Sequence, residues 1–196
     1  MLATQILEFA KALPEGSLLS AKRLLHLGTR AGIDQALGRM VKAGQLMRVG
    51  RGRYVLPQQS RFGALAPETA KVVEALEIET GEAIVSAGIA AANALGMTTQ
   101  VPMRETYVTA GKACTLRFGR LEVRIQHVPR WQTLLPRRPA GNVIRAMAWL
   151  GPNHAGEKLR NIKGRLPASE WQALTAVAHH LPGWLAKTVS EVQYHG

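Results

Sequence analysis

The spacing of apolar residues over the first sixty positions predicts three short helices followed by a β-hairpin. Apolar side chains recur at the spacing of one helical face, as Leu2, Ile6, Phe9, Ala10 and Leu13. Ser20 and Thr29 are candidate caps for a second and a third helix, and Gly28 and Gly44 are candidate stops. Two β-prone pieces, LMRV and RYVL, follow. Three helices and a hairpin in this order predict a winged helix-turn-helix.

A stretch rich in chain-breaking and polar residues, PQQSRFGALAP, predicts a linker after the hairpin. We therefore expect a winged-helix domain over residues 1–57, a linker over 58–66 and a second domain over 67–196. The second domain should contain a helix after Pro67, a small-residue helix over 86–96, and strands in ETYVTAG, CTLRFG and RLEVRIQHV. Further helices are expected near 140–150, 154–164, 168–180 and 183–193. The expected class is α+β, with a small antiparallel sheet in the second domain.

The charge of the chain favours a phosphate-rich partner. Lysines and arginines number 25 against 13 acidic residues, which gives a formal net charge of +12 and an isoelectric point near 10.7. Residues 1–60 carry nine of these bases and three acids, so half of the net charge lies in under a third of the chain. Such an excess is typical of nucleic-acid-binding domains, and a generally basic protein is the alternative.

One face of the predicted third helix has the chemistry of a DNA recognition surface. Gln35, Arg39 and Lys42 are spaced i, i+4 and i+7, and they lie opposite the apolar stripe. Gln can form paired hydrogen bonds with adenine, Arg with guanine, and Lys suits guanine or phosphate. The alternative is an ordinary solvated polar face.

The hairpin segment RVGRGRYVLP predicts a basic tip. Gly50 and Gly52 would permit a tight turn with positive φ, and Arg51 would then reach a minor groove. Arg48 and Arg53 would flank it near backbone phosphates, and a solubilising surface hairpin is the alternative. Bases around the second helix would add phosphate contacts. The full predicted DNA-binding set is Lys22, Arg23, Arg30, Gln35, Arg39, Lys42, Arg48, Arg51 and Arg53.

The second domain has basic positions of its own. They form either a second functional surface or a solvated face. These residues are Arg117, Arg120, Arg124, Lys158, Arg160, Lys163 and Arg165.

Catalytic signatures are absent from the sequence. It contains no HExxH or HxxxH spacing, no P-loop, no GxGxxG after a strand and no GxSxG. We therefore expect no enzyme activity, no metal site and no cofactor. The single Cys114 fits a reducing cytoplasm. The least charged stretch, over 83–103, is broken by polar residues, so no membrane helix is expected. The four tryptophans are expected in the core, and Tyr54 is expected to pack on the N-terminal helices.

Nearly the whole chain resembles the AbiEi-type antitoxins of type IV toxin-antitoxin (abortive infection) operons. The resemblance lies in AGIDQALGRMVKAGQLMRVGRGRYVLP, AAANALGMTTQVP, ETYVTAG, RLEVRIQHVP and LPASEWQAL. It implies that the N-terminal winged helix binds inverted repeats in the operon promoter, as double-stranded DNA, and represses transcription. Gln35, Arg39, Arg51 and Arg53 match the DNA-contacting helix and wing. The second domain would counter a nucleotidyltransferase toxin encoded alongside, without an obligatory stable complex.

Two other functions stay open at the level of sequence. One is a stand-alone winged-helix transcription factor whose second domain senses a ligand or a partner. The other is an enzyme that processes nucleic acid with its basic second domain. In the antitoxin reading, the basic surface of the second domain would act on the toxin or on the nucleic acid that the toxin modifies.

Overall fold

The computed structural model describes residues 1–61 and 63–195, and within them the chain has an α+β fold. The helices are α1 (Leu2–Lys11), α2 (Arg30–Lys42), α3 (Thr69–Thr80), α4 (Gly88–Ala94), α5 (Pro139–Leu150), α6 (Pro152–Lys163), α7 (Ala168–Ala176) and α8 (Gly183–His195). The strands are β1 (Met47–Gly50), β2 (Arg53–Val55), β3 (Gln58–Ser60), β4 (Gly63–Leu65), β5 (Ile84–Ser86), β6 (Thr106–Thr109), β7 (Cys114–Phe118) and β8 (Leu121–His127). Phe62 of the predicted linker and Gly196 of the predicted second domain lie outside the described residues.

The chain forms two compact units. The first comprises Met1–Gly81 with Thr115–Val123, and the second Glu82–Cys114 with Arg124–Gly196. Helix α3, expected in the second domain, thus groups with the first unit. It comes so close to the loop after α1 that a Cβ added at Gly16 would lie 2.6 Å from Lys71 Cβ. The division into domains over residues 1–57 and 67–196, with a linker between them, stays a prediction.

An ion pair joins the same loop to α3. Lys71 donates a hydrogen bond to the Glu15 carboxylate. This hydrogen bond lowers the pKa of Glu15 and raises that of Lys71, because each charge favours the ionised form of its partner.

The first unit is built around a core shared by α1 and α2. Its buried residues include Ile6, Leu24, Ile33, Leu37 and Met40. The predicted second helix is instead a 3₁₀ turn over Ala21–Leu24, and Ser20 makes no side-chain cap. The backbone bonds here run from residue i+3 to residue i, with Arg23 N 3.1 Å from Ser20 O and Leu27 N 2.9 Å from Leu24 O, which is the tighter 3₁₀ pattern common in short connecting segments. Tyr54 packs against this core, as predicted.

The predicted linker contains regular structure. β3 and β4 pair antiparallel, with Gln58 opposite Leu65 and Gln59 opposite Ala64. These strands, QQS and GAL, contain no β-branched or aromatic residue, so the sequence showed only the turn-forming residues around them.

The four-stranded sheet is mixed rather than antiparallel, which corrects the prediction. Its order is β5-β6-β8-β7. β5 and β6 pair antiparallel, whereas β6 and β8 pair parallel, with Tyr107 opposite Ile125. β7 lies between β6 and β8 in sequence but at the edge of the sheet in space. This order lets β8 return in the direction of β6.

The core of the second unit surrounds α5. Helices α6, α7 and α8 supply apolar residues such as Leu159, Leu174 and Val189, and Trp171 is buried among them. Trp131 and Trp184 pack partly buried against this cluster, as expected. Trp149 departs from the prediction, because 42% of it is exposed.

An ion pair holds the start of α5. Arg138 donates to Glu170 of α7, with Nη2 2.8 Å from Oε1, and the same carboxylate accepts from Ala140 N at 3.0 Å. Glu170 thereby caps the first turn of α5, and these bonds lower the pKa of its carboxyl group.

Candidate nucleic-acid interface

Helix α2 presents one polar face to solvent. Thr29 Oγ1 accepts a hydrogen bond from Gly32 N at 3.2 Å, which confirms the predicted cap. The apolar stripe turns into the core, so Gln35, Arg39 and Lys42 are all exposed on the other side. Within residues 1–61 and 63–195, these three side chains have no hydrogen-bond or ion-pair partner. The face is free to bind a ligand.

Gly38 belongs to the same face, although its position was not predicted to matter. It is exposed in the interior of α2, and a Cβ added there would meet nothing within 4 Å. Glycine inside a helix costs about 1 kcal/mol relative to alanine. Nothing in the described chain requires glycine at this position, and together with exposed Ala31 it leaves this side of the helix with two small residues. We call Ala31, Gln35, Gly38, Arg39 and Lys42 the α2 face.

The β1–β2 hairpin holds Arg51 at its tip. Arg48 lies opposite Tyr54 and Gly50 opposite Arg53, with a bulge between Arg48 and Gly50. Gly52 has φ +67°, as predicted, whereas Gly50 does not have positive φ, because it still belongs to β1. Arg51 is exposed and has no partner among the described residues.

Four of the predicted DNA-binding arginines have a partner within the first unit. Arg53 Nε lies 3.4 Å from Glu79 Oε1, and only 24% of its side chain is exposed. Arg23 donates to Leu18 O at 3.0 Å and stacks over Phe9, with its guanidinium carbon 5.8 Å from the ring centroid.

Arg30 and Arg48 are the other two arginines with a partner. Arg30 pairs with Asp34 at 2.9 Å on the surface of α2, while Lys22 is exposed without a partner in the described chain. The free cations of the predicted set are therefore Lys22, Arg39, Lys42 and Arg51, while Arg48 bonds its own hairpin at Gly50 O, 3.3 Å away.

One further arginine, from β7, lies beside the hairpin. Arg117 of β7 lines the same groove as Arg48 and Arg51, a cleft of about 570 Å³ that also includes Thr115. β7 approaches the hairpin closely, since a Cβ added at Gly50 would lie 3.7 Å from Leu116 Cδ2. Arg117 was predicted in the second basic surface, because contact between distant segments has no local signal in the sequence.

The remaining members of that second surface are divided between the two units. Arg120 belongs to the first unit, and Arg124 and the bases of α6 belong to the second. Lys163 is occupied, because its Nζ donates to Val192 O at 2.7 Å and lies 5.7 Å from the Trp171 ring centroid. Lys158 and Arg165 line a small groove of about 160 Å³ beside Gly96, and Arg160 is exposed.

A buried arginine lies in α5, at a position that the sequence did not mark. Arg145 is 2% exposed, and its Nη2 donates to Asn142 Oδ1 at 2.6 Å. Its Nε and Nη1 have no partner in the part of the chain that the structure describes. Burial lowers the pKa of Arg145 to about 10, because a low-dielectric surrounding disfavours the charged form.

Residues 1–61 and 63–195 offer neither a membrane span nor a metal site. None of the helices there combines the length and the apolar character that crossing a bilayer requires. No three His, Cys, Asp or Glu side chains in that part of the chain cluster closely enough to hold a metal ion.

Comparison with known proteins gives a family and no function. No curated protein and no solved structure matches the chain. A family model, described as a family of unknown function, matches residues 5–167, which is most of the sequence. The chain therefore belongs to the DUF6088 family.

Proposed function

We propose that this chain is a DNA-binding transcriptional repressor that acts on its own promoter. In this proposal the first unit is a winged helix-turn-helix, α2 is its recognition helix, and the β1–β2 hairpin is its wing. The observation that carries the proposal is the α2 face. It offers Gln35, Arg39 and Lys42 without partners among the described residues, on a helix whose opposite side is fixed in the core. Rigid presentation of amide and cationic groups is what base readout in a major groove requires.

The hairpin supports the same function. Arg51 projects from a two-residue turn and is exposed, and Arg48 lies on the adjoining strand. A cationic side chain at such a tip suits phosphate or a narrow minor groove. Arg53 would instead stabilise the base of the wing through Glu79.

Arg39→Ala tests base readout. The full-length protein should bind duplex DNA from upstream of its own coding sequence more tightly than a random duplex, measured by fluorescence anisotropy. The substitution should cost about 1–3 kcal/mol on the upstream DNA, or about 5- to 150-fold in Kd, because it removes one bidentate hydrogen-bonded pair with a base. An equal reduction on random DNA would assign Arg39 to phosphate. A wild-type protein without preference for the upstream DNA would overturn the proposed function.

Arg51→Ala tests the wing. Removing one phosphate-binding charge should reduce the slope of log K against log salt by about 0.9, because fewer counterions are released on binding. The affinities of wild type and variant should therefore converge as the salt concentration rises. Lys11→Ala, which removes an exposed charge from α1, is the control. An unchanged slope for the Arg51 variant would show that the hairpin does not touch the DNA backbone.

We also propose that the chain is an antitoxin that opposes a nucleotidyltransferase toxin in the cytoplasm. The support is the resemblance to AbiEi-type antitoxins. The full-length Arg39→Ala chain should be co-expressed with the neighbouring nucleotidyltransferase, with colony survival scored beside a promoter reporter. Survival without repression would support a separate antitoxin activity. Loss of both survival and repression would show that protection depends on repression alone. A genome without an adjacent nucleotidyltransferase gene would favour the stand-alone transcription factor.

A further inference from the structure

Three arginines from two distant parts of the chain meet in the first unit. Arg48 and Arg51 come from the β1–β2 hairpin, and Arg117 comes from β7. The groove that they line, about 570 Å³, has no carboxylate among its described lining residues. The backbone of β7 forms part of its wall, with Thr115 O 3.8 Å from the Cβ position of Gly50.

The arginines are weakly neutralised. Arg51 has no partner in the described chain, and Arg48 donates only to a carbonyl of its own hairpin. Arg117 lies 3.6 Å from Glu122, but 72% of its side chain is exposed, and exposed pairs of this kind contribute little. Three cations around one groove repel one another, so an anion that enters it relieves that repulsion. Guanidinium groups and phosphate oxygens form strong, frequently bidentate hydrogen bonds.

We infer that this groove binds a phosphate of the DNA backbone and that Arg117 is part of the DNA interface. The inference rests on the proposed function, and it extends the interface from the N-terminal hairpin to a strand of the four-stranded sheet. Arg117 would then fix the position of the wing on the duplex without reading bases, because phosphate contacts carry no sequence information.

Arg117→Ala is the test, with Arg120→Ala as a matched control. Both positions are exposed, both belong to the β7–β8 segment, and each substitution removes one positive charge, but only Arg117 lines the groove. Anisotropy titrations of the full-length proteins should span low to high salt, with upstream and random duplexes. We expect Arg117→Ala to lower the slope by about 0.9 on both duplexes and to leave the preference for upstream DNA unchanged. Arg120→Ala should lower the slope by clearly less.

Glu122→Gln provides a second variant. It removes the carboxylate beside Arg117, so it should tighten DNA binding at low salt. This increase in affinity should be larger when Arg117 is present than in the Arg117→Ala background, because coupled residues are not additive. Equal increases in the two backgrounds would contradict DNA binding through Arg117.

The outcomes separate the two proposals. If wild type prefers upstream DNA and the Arg117 variant keeps the full slope, or if both arginine variants reduce the slope equally, the groove assignment is wrong and the proposed function stands. If wild type binds no DNA, both are wrong. Inorganic phosphate that raises the Tm of wild type but not of the Arg117 variant, with an unchanged slope, would assign the groove to a free anion and overturn the DNA inference.

Discussion

Gly141→Ala is expected to lower the free energy of unfolding by about 3 kcal/mol, the upper end of the usual cost of overpacking. Gly141 lies in the first turn of α5, where the preceding segment folds back over the helix. An added Cβ would overlap Leu135 O and would lie 2.9 Å from Leu134 O. Both oxygens belong to the backbone, so no side chain can rotate away. Leu135 already has φ +50°, which leaves that segment little freedom to move.

Thermal unfolding of the full-length chain measures this effect. For a chain of this size, a destabilisation of about 3 kcal/mol corresponds to a decrease in Tm of about 6–12 °C. Gly164→Ala is the matched control in the same unit. Gly164 has φ −69° and ψ −13°, and a Cβ there meets nothing within 4 Å. This variant should be more stable by about 0.4–1 kcal/mol, because alanine reduces the freedom of the unfolded chain. Similar Tm values for the two variants would contradict the close approach at Gly141.

The helices of the second unit were predictable because prolines and glycines mark their ends. Pro152 begins α6, Pro167 precedes α7, and Pro182 precedes α8. The short strands β3, β4 and β5 were missed. β2 is equally short but was predicted from the β-prone RYVL, whereas β3 (QQS) and β4 (GAL) contain no β-branched or aromatic residue. The mixed order of the large sheet was also missed, because a parallel pairing between β6 and β8 depends on contacts that no local pattern specifies.

The candidate interface likewise contains residues that the sequence predicted and residues that it could not predict. The exposed side of α2 follows from residue spacing on a single helix, so Gln35, Arg39 and Lys42 could be named in advance. The engagement of Arg53 by Glu79 could not, because the two residues lie 26 positions apart and meet only when α3 packs in the first unit. The approach of Arg117 to the hairpin is a longer-range contact of the same kind.

Gly38→Leu is expected to stabilise the protein and to weaken specific DNA binding. The Cβ position is open, and leucine is a far better helix former than glycine, so the free energy of unfolding should rise by about 0.5–1 kcal/mol. On the α2 face, however, a leucine would stand between Gln35 and Lys42, one helical turn from each. Its side chain would hold the helix away from base edges, and we expect affinity to fall at least about tenfold, or about 1.4 kcal/mol.

Opposite changes in stability and affinity make this variant informative, because general unfolding would lower both. Gly38→Ala should raise Tm similarly and weaken binding less, since a methyl group takes up less space in the DNA groove than a leucine side chain. Gly183→Leu, at another exposed glycine with an unobstructed Cβ, controls for adding a leucine elsewhere on the surface and should bind DNA as wild type does. If Gly38→Leu raised Tm and still bound upstream DNA with wild-type affinity, α2 would not enter a groove. DNA binding would then have to come from the hairpin and β7 alone.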